Sequence, residues 1–282
     1  MYKNILIIGG SGFVGTSLCE ALSNKFNVTN YDQKQKKIKN VKFIKSKIEN
    51  NNKLKNEIIK NDIIILSAAV SDINFANKNL SKTIFQNTYL ATRVLEIMKN
   101  QNKKLLIFIS SIYVNGKNMD VYKISKYTSE LIIRNFSKKF NTNFTILRLP
   151  TICGNNNRSA DVISIFKKNI LQGKNIIVNG DGKQTRNFLF SRDLGKSFFK
   201  LLNKKYQNKV VNVFSNYNYN IKNLAKIFGN INKKSKIIFK RREIRYDDFD
   251  LRYIKFKDKS ITFQIKNKLS FERKIINFVK SK

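Results

Sequence analysis

The chain has 282 residues, of which 41% are hydrophobic and 26% charged, with 2 cysteines and 1 proline. That composition suits one large or two modest domains with a full core, and it excludes disordered, collagen-like and disulfide-scaffold architectures. Lys and Arg number 56 against 18 Asp and Glu, a formal +38, and histidine is absent, which excludes a histidine triad, a histidine-ligated zinc and, with two cysteines, a four-cysteine metal site. Acid–base chemistry therefore falls to Tyr, Lys, Asp, Glu or Ser. The basic residues are mostly lysines scattered among Asn and Ile, with no Arg-rich helix or basic tail. We read them as a chain-wide compositional bias that gives salt-sensitive adhesion to polyanions, and we expect no specific nucleic-acid partner.

In chain order, Asn4-Ile5-Leu6-Ile7-Ile8 is a continuous apolar run of the kind a buried parallel strand needs. Gly9-Gly10-Ser11-Gly12-Phe13-Val14-Gly15 follows without a gap, then a helix over 16–25 and a second strand over 27–31 that ends in Asp32. Strand, glycine turn, helix, strand and acid form one βαβ unit in the dinucleotide-binding order. Gly9, Gly12 and Gly15 serve a tight turn, the approach of backbone to pyrophosphate and close helix packing, and the N–H groups around Phe13 and Val14 open the helix toward phosphate. The Asp32 carboxylate can accept the adenosine ribose hydroxyls and would repel a 2′-phosphate, which favours NAD over NADP, although Lys34, Lys36 and Lys37 weaken the discrimination.

Alternation continues with strands over 41–44, 62–66, 105–109 and 144–149 and helices over 54–59, 84–98 and 121–140. The fold class is α/β, a Rossmann-type doubly wound parallel sheet. Pro150 marks a change of character. We expect a dinucleotide-binding domain over 1–150 and a smaller α+β substrate portion over 151–282, with about 209–228 returning to the sheet. In that second portion, helices over 160–171, 193–202, 221–228 and 271–279 are interleaved with strands over 176–178, 210–214 and 237–240. No apolar run is long enough to span a bilayer, and Met1-Tyr2-Lys3-Asn4 leads into a strand in place of a signal peptide, so a cytoplasmic protein is expected. Cys19 and Cys153 read as small buried hydrophobes.

The chemistry centres on Tyr122-Lys123-Ile124-Ser125-Lys126. Tyr122 and Lys126 fall four apart on one helical face, so the ammonium can stabilise the phenolate and make proton exchange with a substrate hydroxyl feasible. Upstream, the strand over 105–109 ends in Ser110-Ser111, whose hydroxyl can share the same substrate oxygen.

With these motifs the chain resembles the extended short-chain dehydrogenases/reductases of the NAD-dependent epimerase/dehydratase family, over most of its length. Ser67-Ala68-Ala69 resembles the family's turn over the cofactor, and Asn87 the Asn that opens the next helix. Ser111 matches the catalytic Ser/Thr, and Tyr122 and Lys126 the catalytic pair. Arg148-Leu149-Pro150-Thr151-Ile152-Cys153-Gly154 resembles the stretch beside nicotinamide and substrate, with Thr151 a substrate contact. The segment Gly180-Asp181-Gly182-Lys183-Gln184-Thr185-Arg186-Asn187-Phe188 resembles the one whose Arg binds the substrate diphosphate, a role the resemblance gives to Arg186, with Arg241 or Arg242 beside it.

The resemblance implies an NAD-dependent 4-epimerase acting on a nucleotide-activated sugar. A nucleotide 4-keto-sugar reductase using NAD(P)H is the alternative, since Ser111-Ile112-Tyr113-Val114 resembles that group too, and a non-catalytic dinucleotide-binding module is a second. Whether two copies pair through the helices after Asn87 and Tyr122 is left open. The chain also departs from the family pattern. Only 112–121 separates Ser111 from Tyr122, so part of the usual sugar pocket is missing. Lys47 stands where relatives have an Asp, leaving Ile48 to pack on the adenine; Leu66 and Cys153 replace a frequent His and Tyr. No Asp-Glu pair follows Ser111, which disfavours a 4,6-dehydratase.

Overall fold

The computed structural model describes residues 2–47, 51–101, 103–116, 119–154, 161–241, 250–251, 254, 256 and 258–281. Ile48, Arg242 and the loop over 155–158 lie outside them.

The first half is built from β1 (Asn4–Ile8), α1 (Phe13–Leu22), β2 (Asn27–Asp32), β3 (Val41–Lys45), α2 (Asn51–Lys60), β4 (Ile63–Leu66), α3 (Ile73–Lys78), α4 (Leu80–Met98), β5 (Leu105–Ser111), α5 (Val121–Lys139) and β6 (Asn143–Leu149). A short 3-10 turn, Ile112–Asn115, follows β5. The second half contains β7 (Thr151–Cys153), α6 (Val162–Leu171), β8 (Ile176–Asn179), β9 (Thr185–Phe190), α7 (Ser191–Leu201), β10 (Lys209–Ser215), β11 (Asn218–Asn220), α8 (Ile221–Ile231), β12 (Ile237–Lys240), β13 (Ile261–Ile265) and α9 (Phe271–Lys280).

Eight strands form one sheet in the order β13-β10-β6-β5-β4-β1-β2-β3, and every pairing in it is parallel. The α/β Rossmann expectation is met. Continuous apolar strands are what a sheet covered on both faces requires, and their alternation sorts the side chains to two cores. Ile5, Ile7, Ile63, Ile65, Leu105 and Ile107 enter one face, while Leu6, Ile8, Ile64, Leu66, Leu106 and Phe108 enter the other. Each such side chain contributes about 1.5–3 kcal/mol by leaving water. The strand order reverses between β1 and β4, and a crevice at the carboxyl ends of the strands there is where open α/β sheets take ligands.

Beyond Pro150, β10 joins the sheet next to β6, and β13 follows it at the edge. Helix α7 packs on α1, and its Leu194, Phe198 and Leu201 belong to the first core. Helices α6, α8 and α9 enclose a third core with Val178, Phe188 and Phe190, in which Phe271 packs against Phe188, Tyr217 and Tyr219. Among the described residues no helix is long and apolar enough to cross a membrane.

Several elements extend or add to the expected ones. Helix α1 begins at Phe13 because Gly12 caps it and accepts the Thr16 N–H. The short α3 is capped by Asp72, which accepts the Phe75 N–H. Strands β7 and β11 are three residues each and β9 starts polar, so they carry little period-2 signal, whereas β13 alternates Ile261, Phe263 and Ile265 with Thr262 and Gln264.

Candidate active site

The glycine turn sits at the reversal of strand order. Gly9 has φ 85° and its N–H is given to the Tyr31 carbonyl. A Cβ there would meet the Ala68 backbone nitrogen at 2.5 Å, so both torsion and space demand glycine. At Gly15 the restriction is packing alone: a Cβ would lie 2.1 Å from the Gly9 carbonyl oxygen. Gly12 is exposed at the start of α1, and no side chain caps that end. Bare backbone at a helix N-terminus is the cradle a pyrophosphate needs. Phe13 and Val14 are half-buried beside it.

Asp32 closes β2 half-buried, with Oδ2 accepting the Ser11 N–H at 3.1 Å and Oδ1 the Lys34 N–H at 3.0 Å. The carboxylate is thus fixed by the two loops that flank it. Turn, uncapped helix and fixed acid together fit a dinucleotide. Asp32→Ala is expected to weaken NAD by about ten- to a hundredfold, the worth of charge-assisted hydrogen bonds, and NADP less; equal losses in titrations of both would show that Asp32 does not read the ribose.

Ser67 and Ala68 both give their N–H groups to the Ile8 carbonyl, which folds the 67–70 segment over the glycine turn. Ala69 lies half-buried next to it. Asn87 lies well inside α4 instead of opening it, because the helix starts at Leu80. Its side chain accepts the Val70 N–H at 2.8 Å, and Nδ2 donates to the Val70 carbonyl at 3.2 Å and to Ser125 Oγ at 2.8 Å. Ser125 Oγ donates in turn to the Tyr122 carbonyl. Asn87 therefore ties the cofactor turn to the helix that carries Tyr122.

That helix is α5. Asp120 caps it by accepting the Lys123 N–H at 2.8 Å, and Tyr122 stands half-buried in its first turn. One turn on, Lys126 is buried and donates from Nζ to the Ile109 carbonyl at 2.7 Å, with Phe108 beneath it. Burial pushes its ammonium down to about 7, with the Glu130 charge opposing the shift. The bond to Ile109 brings Lys126 to the end of β5, where Ser110 and Ser111 part company. Ser110 Oγ donates to Glu130 at 2.5 Å, whereas Ser111 Oγ accepts the Tyr113 N–H at 3.2 Å and keeps its own proton to give.

Thr151 opens β7 half-buried and shares a hydrogen bond with the Tyr113 hydroxyl. Arg186 lies on β9 opposite Tyr219 of β11, and its buried Nε has no hydrogen-bond partner among the described residues. Arg241 is exposed just past β12. Arg148 is fully buried and committed to Glu130 and Asp258, so it is withdrawn from the site. Burial pushes the Cys19 thiol up to about 12 and the Cys153 thiol well above its usual value, which keeps both inert.

Sequence reasoning missed the ionic groups behind this site, Lys123, Glu130 and Asp258. The signal available was the recurrence of Lys123, Lys126 and Glu130 at helical spacing on the face of α5 that packs inward.

The model of the NAD dependent epimerase/dehydratase family matches residues 5–214. The chain is 27% identical over 271 residues to a dTDP-D-glucose 4,6-dehydratase of Dictyostelium discoideum, covering 81% of this chain and 62% of that protein's length. It is 28% identical over 250 residues to an N-acetyl-alpha-D-glucosaminyl-diphospho-ditrans,octacis-undecaprenol 4-epimerase of Escherichia coli O157:H7, covering 83% of this chain and 74% of that one. Among solved structures, the UDP-glucose 4-epimerase of Thermotoga maritima superposes with TM-score 0.83 at 20% identity over 98% of this chain and 97% of that one, a likeness of fold. The glycine turn and Ser111, Tyr122 and Lys126 all fall within this match to most of the chain, which belongs to the NAD dependent epimerase/dehydratase family.

Proposed function

We propose that the protein is an NAD-dependent epimerase that inverts the 4-position of a nucleotide-activated sugar by transient oxidation. The observation that supports the reading is the seating of α5: the Lys126–Ile109 bond brings Lys126, one helical turn after Tyr122, to the end of β5 that carries Ser110 and Ser111. Bound NAD would supply a hydride acceptor and donor. Tyr122 takes the proton of the sugar 4-hydroxyl as the hydride leaves and returns it after the keto sugar has turned. Ser111 donates a hydrogen bond to that oxygen, Lys126 holds positive charge near the phenolate, and Gly12 with the start of α1 holds the pyrophosphate.

Arg186, whose buried Nε has no partner among the described residues, receives the substrate diphosphate, for which a guanidinium fork is suited. Thr151 lines the sugar side and Arg241 adds charge at the rim. Arg186→Ala is expected to raise KM for a nucleotide sugar about tenfold or more and to leave the Kd for NAD alone; steady-state kinetics showing an unchanged KM would remove the assignment. The absence of an Asp-Glu pair after Ser111 favours epimerase over 4,6-dehydratase.

The deciding experiment offers UDP-glucose and UDP-N-acetylglucosamine to the NAD-loaded chain and follows the sugars by NMR together with absorbance of reduced nicotinamide. The 4-epimer should accumulate with no net absorbance change. Stoichiometric consumption of NADH with a 4-keto sugar would make it a reductase, and cofactor binding without turnover a binding module.

Leu80 and Phe85 on α4 and Ile124, Leu131 and Phe136 on α5 are exposed apolar side chains on two helices packed side by side. We propose that a second copy covers this face.

A further inference from the structure

Behind Tyr122, helix α5 turns an ionic stripe toward the sheet. Lys123, Lys126 and Glu130 recur on it at helical spacing, and none is more than 3% exposed. Lys123 is matched by the helix cap Asp120 at 3.1 Å, a neutral pair. Glu130 accepts from Arg148 through Nε at 3.0 Å and Nη2 at 2.6 Å, and from Ser110 at 2.5 Å. Arg148 Nη2 also reaches Asp258 at 2.8 Å, and Asn212 holds the Ser260 hydroxyl next to that acid.

Formal charges decide what this arrangement does. Glu130, Arg148 and Asp258 together carry one net negative charge, the Asp120–Lys123 pair carries none, and the cation one turn from Glu130 is Lys126. Strand β5 brings only the hydroxyls of Ser110 and Ser111 to the cluster, Tyr122 lies at the other end of the stripe, and exposed Arg134 acts on Asp258 from outside. The Lys126 ammonium itself has a backbone carbonyl as its hydrogen-bond acceptor, which carries no full charge. A buried ammonium with only such a partner sheds its proton.

We propose that Glu130 is a positioning residue whose carboxylate, fixed by Arg148 and Ser110, holds Lys126 as a cation at the end of β5, from where its charge acts on Tyr122. The effect on Tyr122 rests on the epimerase reading above; the effect on Lys126 does not. Burial already draws the Lys126 ammonium to about 7 with Glu130 opposing, where about half of it is charged at neutral pH, so loss of the carboxylate lowers it further and leaves the amine mostly neutral there. A neutral amine no longer stabilises the phenolate, and proton transfer then requires higher pH.

The test uses the full chain labelled with [ε-13C]lysine, the Lys126 resonance being identified by its loss in Lys126→Met. In Glu130→Gln the titration midpoint of that resonance should fall by about one pH unit or more, a tenfold change in protonation. The acid limb of kcat for 4-epimerisation should move up by a similar amount. Should Glu130→Gln fail to fold, the double variant Glu130→Met with Arg148→Met removes the buried pair together; the remaining Asp258 keeps the net charge of the cluster unchanged, yet the midpoint should still fall, because Glu130 is the charge that acts on Lys126. An unchanged midpoint in a folded variant, or failure of both to fold, leaves Glu130 a purely structural role and overturns the proposal. A shifted midpoint with an unmoved acid limb overturns it too and leaves the epimerase reading standing. Absence of turnover in the unaltered chain removes that reading, and the titration still decides the charge of Lys126.

Discussion

Tyr122→Phe is expected to lower turnover by about 10²–10⁴-fold, the usual worth of a positioned acid–base group, with the Kd for NAD changed by no more than a few-fold. The phenyl ring fills the same half-buried position in the first turn of α5, so the fold and the cofactor turn are left as they are. Two features hold that position independently of the hydroxyl. Asp120 caps the helix, and the Ser125–Asn87 link fixes its first turn to the segment over the glycine bend. Only the proton path is removed. Turnover within tenfold of the unaltered protein, measured with NAD affinity in the same preparation, would assign the proton to another group and leave Ser111 as the first to examine.

Arg148→Met should cost about 3–5 kcal/mol of stability, because it strands a fully buried carboxylate. Glu130 would lose a two-pronged partner at 3.0 and 2.6 Å and keep only Ser110. Asp258 suffers differently. Burial pushes its carboxyl up, but hydrogen bonds from Arg148 and Ser260 and the charges of Arg148 and Arg134 outweigh this and hold it below the usual carboxylate range. A carboxyl held low contributes stability that is fully present above its unfolded value of about 4 and is lost as pH falls through the lower folded value. The share of the loss that comes from Asp258 should therefore be largest near neutrality and shrink in acid. Denaturant unfolding at pH 7 and pH 4 measures both parts, and a loss under 1 kcal/mol at pH 7 would mean that water or a neighbour rescues Glu130.

The residues that could be read in advance share one property: their chemistry depends on neighbours a fixed number of positions away. Gly9 and Gly15 belong to a single bend, and Tyr122 and Lys126 to a single helical face, so spacing alone carries the information. The apolar strands β1, β4 and β5 announce a sheet covered on both faces by the same local logic. Asn87 shows where that logic stops. The resemblance places Asn87 at the opening of a helix, whereas the helix starts at Leu80 and the Asn87 amide meets Val70 and Ser125.

The partners that share no local spacing were decided by the tertiary structure. Glu130, Arg148 and Asp258 come from a helix, a neighbouring strand and the approach to the edge strand β13, and nothing in their sequence neighbourhoods distinguishes a buried ion from a surface one in a chain carrying 56 Lys and Arg. Burial converts them, because a charge removed from water must find a counter-charge at contact distance. By itself the amino-acid order determined the α/β layering and the glycine bend, since each follows from short-range periodicity and backbone sterics. Which charges lie behind Lys126, and which strand closes the sheet, depended on long-range packing that brings distant segments out of solvent together.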